Sequence, residues 1–203
     1  MLVLAAVACG AAVGSSSSAF SQSSEVPSAA QLVEALKSKA RTRGAAAGAP
    51  SAEANRAEEN AKLIEALKAK AARGLSVTER TQLAEVASTR PSVDLEIFFD
   101  LNSSAVSAKA EPVLSSLGRA LQDPGLGKAT FLVAGYTDAK GRASYNQVLS
   151  ERRAQAVRQF LAKQFKVPAS RLIAVGYGPT RLKNPRNPNA DENRRVQVVN
   201  LAD

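Results

Sequence analysis

The feature that most constrains this chain is a change of pattern at Val93. From there, apolar residues recur in separate blocks, some with period two and some with helical period, each ended by Pro, Gly, Asn or Asp. All three tyrosines and five of the six phenylalanines of the 203 residues lie after Arg90. Core-forming material is concentrated there, which predicts a domain over residues 93–203. Val93–Phe99 alternates like a half-buried strand and leads into Asp100. Ser107–Gln122 has helical period with Pro112 near its first turn, and Asp123-Pro124-Gly125 stops it. Thr130–Tyr136 reads as a second strand, followed by a turn over 137–141 and a long helix from Ser144 to about Phe165. Gln147 stands at capping-box spacing from Ser144. Arg171–Gly176 and Val196–Leu201 read as two further strands, joined by a loop rich in Pro and Asn. Strands separated by helices predict a sheet covered by helices on one face, with parallel neighbours.

The composition removes several chemistries. The chain has no histidine and a single cysteine. A histidine-based nucleophile, an imidazole acid–base pair, a His metal site, an intrachain disulfide and a cysteine-rich zinc site are all excluded. No cofactor or metal is expected. Carboxylate chemistry, Lys or Arg chemistry, and binding without catalysis remain. The net charge of +9 suits an anionic partner without choosing one.

The N-terminal part reads differently. Leu2–Val13 is a short run of small and apolar residues followed by Ser15–Ser18, which fits a signal peptide over 1–21 cleaved after Ala19 or Ser21. Cys9 allows a second reading as a lipid-anchored cysteine, although Ala6 stands where such signals usually have Leu. Residues 22–92 read as a helical, low-complexity leader. Gln31–Ala40 is nearly repeated by Lys62–Ala71, each copy carrying Glu-Ala-Leu-Lys. Ser28 and Gln31 stand at capping-box spacing ahead of the first copy, a Gly/Ala/Pro linker lies between the copies, and a third helix is expected from Ser76 with Glu79 in the capping-box position. The repeat is read as a duplicated spacer with solvated lysines, the alternative being an element over 28–73 that docks on an envelope partner.

One residue of the long helix is out of place for structure alone. Leu149, Ala156, Val157 and Phe160 share a face, and Arg153 falls in its middle. A guanidinium on a core-facing stripe is costly unless paired. Asp138, in the turn before the helix, is a candidate partner. The pair is either structural or the two ends of a binding site.

Several segments together resemble the OmpA-like C-terminal domain (OmpA/MotB/Pal-type), a peptidoglycan-binding module. They are Phe99-Asp100, Ser104-Ala105, Gly135-Tyr136-Thr137-Asp138 with Gly141, Tyr145-Asn146, Leu149-Ser150, Arg153-Ala154 with Val157, Val175–Gly178, and Asn193–Val196. The resemblance spans about residues 93–201. It implies an α+β, two-layer β-α-β-α-β-β domain with a mixed sheet and helices on one face. It also implies noncatalytic binding of peptidoglycan through the diaminopimelate of its stem peptide. That side chain ends in an ammonium and a carboxylate on one carbon. By resemblance Asp138 accepts from the ammonium, Arg153 forks the carboxylate, and Asp100, Thr137, Asn146 and Arg194 line the same site. Arg194 and Arg195 would face opposite sides of a strand, so Arg194 is taken as the inward one. The family usually has His where this chain has Tyr136, which puts fine ligand geometry in question. The implied place is the periplasm or outer membrane, with outer-membrane association. A nucleic-acid-binding protein is the alternative suggested by charge, against which stands the lack of basic residues interleaved with aromatics. A cell-wall enzyme using Asp100 and Asp138 is the other alternative. It is disfavoured because Arg153 would hold Asp138 ionised.

Overall fold

The computed structural model describes residues 26–37, 50–71, 73–97, 99 and 103–202. The signal-like segment with Cys9, most of the linker between the repeats, and Asp100 lie outside the described residues.

The leader forms α1 (Ala29–Lys37), α2 (Pro50–Ala71) and α3 (Val77–Ser88). Both leader capping boxes form. Ser28 and Gln31 exchange reciprocal bonds of 2.8 and 3.3 Å, and Ser76 and Glu79 do the same at 2.9 and 3.2 Å. Each satisfies two helix-start groups that would otherwise lack partners. The C-terminal part follows as β1 (Ser92–Leu95), α4 (Glu111–Leu121), β2 (Phe131–Tyr136), α5 (Ala143–Gln164), β3 (Leu172–Gly178) and β4 (Val196–Asn200). The strands make one mixed sheet in the order β1-β4-β2-β3. β2 and β3 are parallel, as the intervening α5 requires, whereas β4 runs antiparallel between β1 and β2.

Side-chain alternation gives the sheet two apolar faces. Phe131, Val133, Leu172, Ala174, Val196 and Val198 point to one core, shared with α4, α5 and α1. Leu132, Ala134, Tyr136, Ile173, Val175, Tyr177 and Val199 point to the other, closed by α2 and α3. Helices α4 and α5 lie on one face together with α1, and α2 and α3 of the leader cover the opposite one.

The spacer reading of the repeat is therefore corrected. Leu32 and Leu36 of the first copy are fully buried against α4 and the sheet. Ile64 and Leu67 of the second copy are buried on the other side. The two copies hold the sheet between them, and their apolar stripes are occupied by the chain itself. Polar contacts fix the first: Asn200 Nδ2 donates to the Leu36 carbonyl at 3.0 Å, and Lys37 pairs with Asp123 at 2.8 Å. Burying such a leucine is worth about 1.5–3 kcal/mol, enough for a short helix that would be marginal alone to stay docked.

The buried side of α5 consists of Asn146, Ser150, Arg153, Ala154, Val157 and Leu161, with Leu149, Ala156 and Phe160 at its borders. Its small residues sit over Gly135 and Gly176, paired neighbours on β2 and β3. A Cβ at Gly135 would meet the Ser150 carbonyl, and one at Gly176 the Glu151 backbone. The expected Ser144–Gln147 capping box does not form, since α5 begins one residue earlier, after Arg142. Gln147 instead donates to the Gly176 carbonyl at 2.7 Å, and the Glu151 carboxylate accepts the Gly176 N–H at 2.6 Å. Side chains of α5 thus satisfy the backbone of edge strand β3.

Candidate ligand-binding site

Where β2 ends, a register shift after Gly135 turns the chain out of the sheet. Thr137 N donates to Gly178 O at 3.0 Å, which anchors the exit. Asp138 comes next, 7% exposed, and its Oδ1 accepts the Lys140 N–H at 3.2 Å in a local turn. Asn146, in the first turn of α5, donates to the carbonyls of Asp138 (3.3 Å) and Lys140 (2.7 Å). Its role is to hold the Asp138 turn against the helix.

Arg153 is 8% exposed, two turns further along the same face of α5. Its Nε donates to the Ser103 carbonyl at 3.1 Å, and its guanidinium lies 4.8 Å from the centre of the Phe99 ring. Among the described residues no carboxylate is within ion-pair distance of it. The structural Arg153–Asp138 pair considered from sequence is therefore not formed. Asp138 pairs instead with Arg194, Nη1 to Oδ2 at 3.0 Å, and Arg194 Nη2 also reaches Asp191 at 2.7 Å.

These residues surround a small pocket of about 120 Å³ lined by Glu96, Ile97, Phe99, Arg153, Asp191 and Arg194. The electrostatics of its two arginines differ. Burial, and then the nearby charge of Arg194, lower the pKa of Arg153, against a smaller opposing pull from Asp138. Burial also acts against the charge of Arg194, but its bonds to Asp138 and Asp191 outweigh this and raise its pKa. Arg153 stays protonated in either case, yet it is the under-compensated cation of the pair, and an anion entering the pocket would restore what burial removed. The Thr137 hydroxyl is buried without a hydrogen-bond partner beside the same turn.

Of the six residues expected from sequence, Arg153 and Arg194 line this pocket, Thr137, Asp138 and Asn146 form the turn joined to it by the Asp138–Arg194 pair, and Asp100 lies outside the described residues. Arg195 turns to the other face of the sheet, 3.9 Å from the Tyr136 ring centre. Tyr136 is on that face too, stacked on Tyr177 at 5.4 Å. Alternation along β2 carries the Tyr136 ring away from the pocket. Sequence reasoning missed the Phe99 ring, the Ser103 carbonyl and Asp191 as parts of the site. It also missed Asn193, which is fully buried, donates to the carbonyls of Asn187 and Pro188, and accepts from Asn184 N. Asn193 shapes the loop that delivers Arg194. An Asn amid a Pro/Asn-rich loop was the available signal.

Comparison with known proteins follows the same boundaries. The family model described as OmpA family matches residues 98–196. Over 111 residues the chain is 38% identical to a protein named photosystem I P700 chlorophyll a apoprotein A2 from Gloeobacter violaceus, covering 51% of this chain and 12% of that one. It is 36% identical over 108 residues to outer membrane porin F of Pseudomonas aeruginosa, 52% of this chain and 30% of the porin. It is 39% identical over 85 residues to the peptidoglycan-associated lipoprotein of Brucella melitensis, 42% of this chain and 49% of the lipoprotein. The chain thus spans less than half the length of each of these relatives. Among solved structures, the peptidoglycan-associated lipoprotein of Burkholderia pseudomallei matches with a TM-score of 0.44 and 25% identity, over 57% of this chain and 92% of that one. The strand–helix order, the Asp138 turn and the family match coincide over one stretch: residues 98–196 of this chain are a domain of the OmpA family.

Proposed function

We propose that this chain is a noncatalytic cell-wall-binding protein that holds peptidoglycan through the diaminopimelate of the stem peptide and tethers the cell envelope to the wall. The observation that carries the reading is the Arg153 guanidinium, nine-tenths buried at the pocket with no carboxylate within ion-pair distance among the described residues. A carboxylate of the ligand would fork onto Arg153, a charge-assisted contact. The ligand ammonium would share Asp138 with Arg194. Phe99 closes the apolar side under the guanidinium, and Asn146 keeps the Asp138 turn in place. No bond need be made or broken. Domain family and named relatives support an envelope location, in the periplasm or at the outer membrane, and the signal-like N-terminus agrees with it. No described helix is long and apolar enough to cross a membrane.

Sedimentation with purified sacculi tests this. The full chain should co-sediment, whereas Asp138→Ala and Arg153→Ala should stay in the supernatant while keeping the wild-type circular dichroism spectrum. Equal retention of all three would sink the proposal, as would release of soluble muropeptides by the wild type.

A further inference from the structure

The face of the sheet opposite Asp138 carries a second concave surface, under α3 and beside the loop after Gly178. Two adjoining recesses share Tyr177 and Arg181. The inner one, about 230 Å³, is lined by Ser88, Ser92, Tyr136, Tyr177, Arg181 and Arg195, among others. The outer one, about 570 Å³, adds Arg80, Thr81 and Thr180. Three arginines line the pair, and no Asp or Glu does among the described residues.

The side chains are arranged in layers. Arg195 lies over the Tyr136 ring at 3.9 Å, Tyr136 stacks on Tyr177 with planes 17° apart, and Arg181 lies over Tyr177 at 6.0 Å. The stacked rings hold two guanidiniums at the ends of a rigid floor. Asp94 is 3.4 Å from Arg195 Nε, but the contact is poorly aligned, and that buried nitrogen has no hydrogen-bond partner. The Tyr177 hydroxyl is also buried and unpartnered. Arg80 gives one N–H to the Leu75 carbonyl. Among the described residues neither Arg80 nor Arg181 has a carboxylate within ion-pair distance. Positive charge and unused donors therefore converge in one recess.

We propose that this recess docks an extended acidic peptide segment of another protein, with carboxylates seated on Arg195 in the inner recess and on Arg80 and Arg181 in the outer one. A flat anionic membrane would not reach Arg195, which is nine-tenths buried, whereas a carboxylate on a protruding side chain would. The chain's own linker is a poor occupant, since residues 38–49 carry Lys39, Arg41 and Arg43 and no acid. The proposal does not depend on the ligand at Asp138, whose pocket is on the other side of the sheet.

The test is fluorescence anisotropy of the full chain with a labelled peptide of alternating Glu and Ser, at low and physiological salt. Saturable binding that weakens with salt is expected, and Arg181→Glu should weaken it by about tenfold or more. Arg181 is exposed, so its variant should keep the wild-type melting curve, and Arg80→Gln gives a second reading at the same recess. Sacculus retention should not change in either variant. No peptide binding, or binding indifferent to both substitutions, would overturn the proposal. So would phosphatidylglycerol vesicles whose binding depends on Arg181 where that of the peptide does not, or loss of sacculus retention by Arg181→Glu.

Discussion

Leu36→Ala separates a leader that is part of the fold from one that merely precedes the domain. Leu36 is completely buried, one turn from Leu32, in the core that α1 shares with α4 and β4. Truncating a buried leucine removes its transfer free energy and leaves a cavity, and together these usually cost 2–5 kcal/mol, roughly. Helix α1 has only nine residues and lies at the margin of the core, so it can settle into the space. The lower part of the range, about 2–3 kcal/mol, is therefore expected. For a folded unit of this size that corresponds to a fall in Tm of about 4–12 °C. Leu67→Ala, at the equivalent position of the second repeat, should cost a similar amount from the opposite face, since it is also buried. Lys37→Ala is the control: its ion pair with Asp123 is well exposed and should be worth less than about 1 kcal/mol. Thermal and urea melts followed by circular dichroism give all three values. If both leucine variants melt like the lysine control, with losses below about 0.5 kcal/mol, the leader is not docked and the reasoning fails.

Three further outcomes follow from the same contacts. Gly176→Ala should destabilise the chain by about 1–3 kcal/mol, because its Cβ would meet the backbone of α5 at Glu151, and urea melts will show whether it does. The Glu79 carboxyl is held down to about 2 by Lys70 and by its capping bonds to Ser76, so its contribution to α3 is complete above pH 4.5 and disappears as pH falls through about 2. Protection factors of α3 amides, taken relative to intrinsic exchange at each pH, should fall over that window, and Glu79→Gln should remove that part of the fall. Tyr136→His should leave sacculus retention unchanged, because the side chain points away from Asp138; loss of retention would place residue 136 in the site after all.

Local signals were legible where one residue decides a local geometry. Both leader capping boxes and the core-facing position of Arg153 could be read from spacing because the partners lie within a turn or two of helix. The same reasoning failed at Gln147, whose side chain is taken by the Gly176 carbonyl on a strand formed 29 residues later. Strand order was hidden for a related reason. Nothing in the Val196–Asn200 segment states that it inserts between β1 and β2. Amphipathic period told that Leu32 and Leu36 would seek an apolar surface, but not whose. In the site, charge reasoning matched Asp138 to the nearer arginine in sequence, whereas the fold gives it Arg194, 56 residues away, because Asn193 and Asp191 hold the final loop over the turn.

That exchange of partners makes the two ends of a zwitterionic ligand unequal. Asp138 is already satisfied by Arg194, in a pair whose arginine is 39% exposed, so an ammonium arriving there mostly replaces one cation with another. Such a partly exposed pair is worth about 0–1 kcal/mol, and the net gain from the ammonium is correspondingly small. Arg153 starts with no carboxylate within ion-pair distance among the described residues, and its charge is penalised by burial. A carboxylate that reaches it gains a charge-assisted bond of about 1.5–3 kcal/mol, which is roughly 10- to 150-fold in affinity. Stem peptides containing lysine keep the ammonium of diaminopimelate and lack its second carboxylate. Calorimetry should therefore find them bound at least about tenfold more weakly, and pimelate-type analogues without the amine should lose less. Arg153→Ala should remove the difference between the two stem peptides. If lysine peptides bind the wild type as tightly as diaminopimelate peptides, the carboxylate is not held by Arg153, and the buried guanidinium serves only to pack the helix against Phe99.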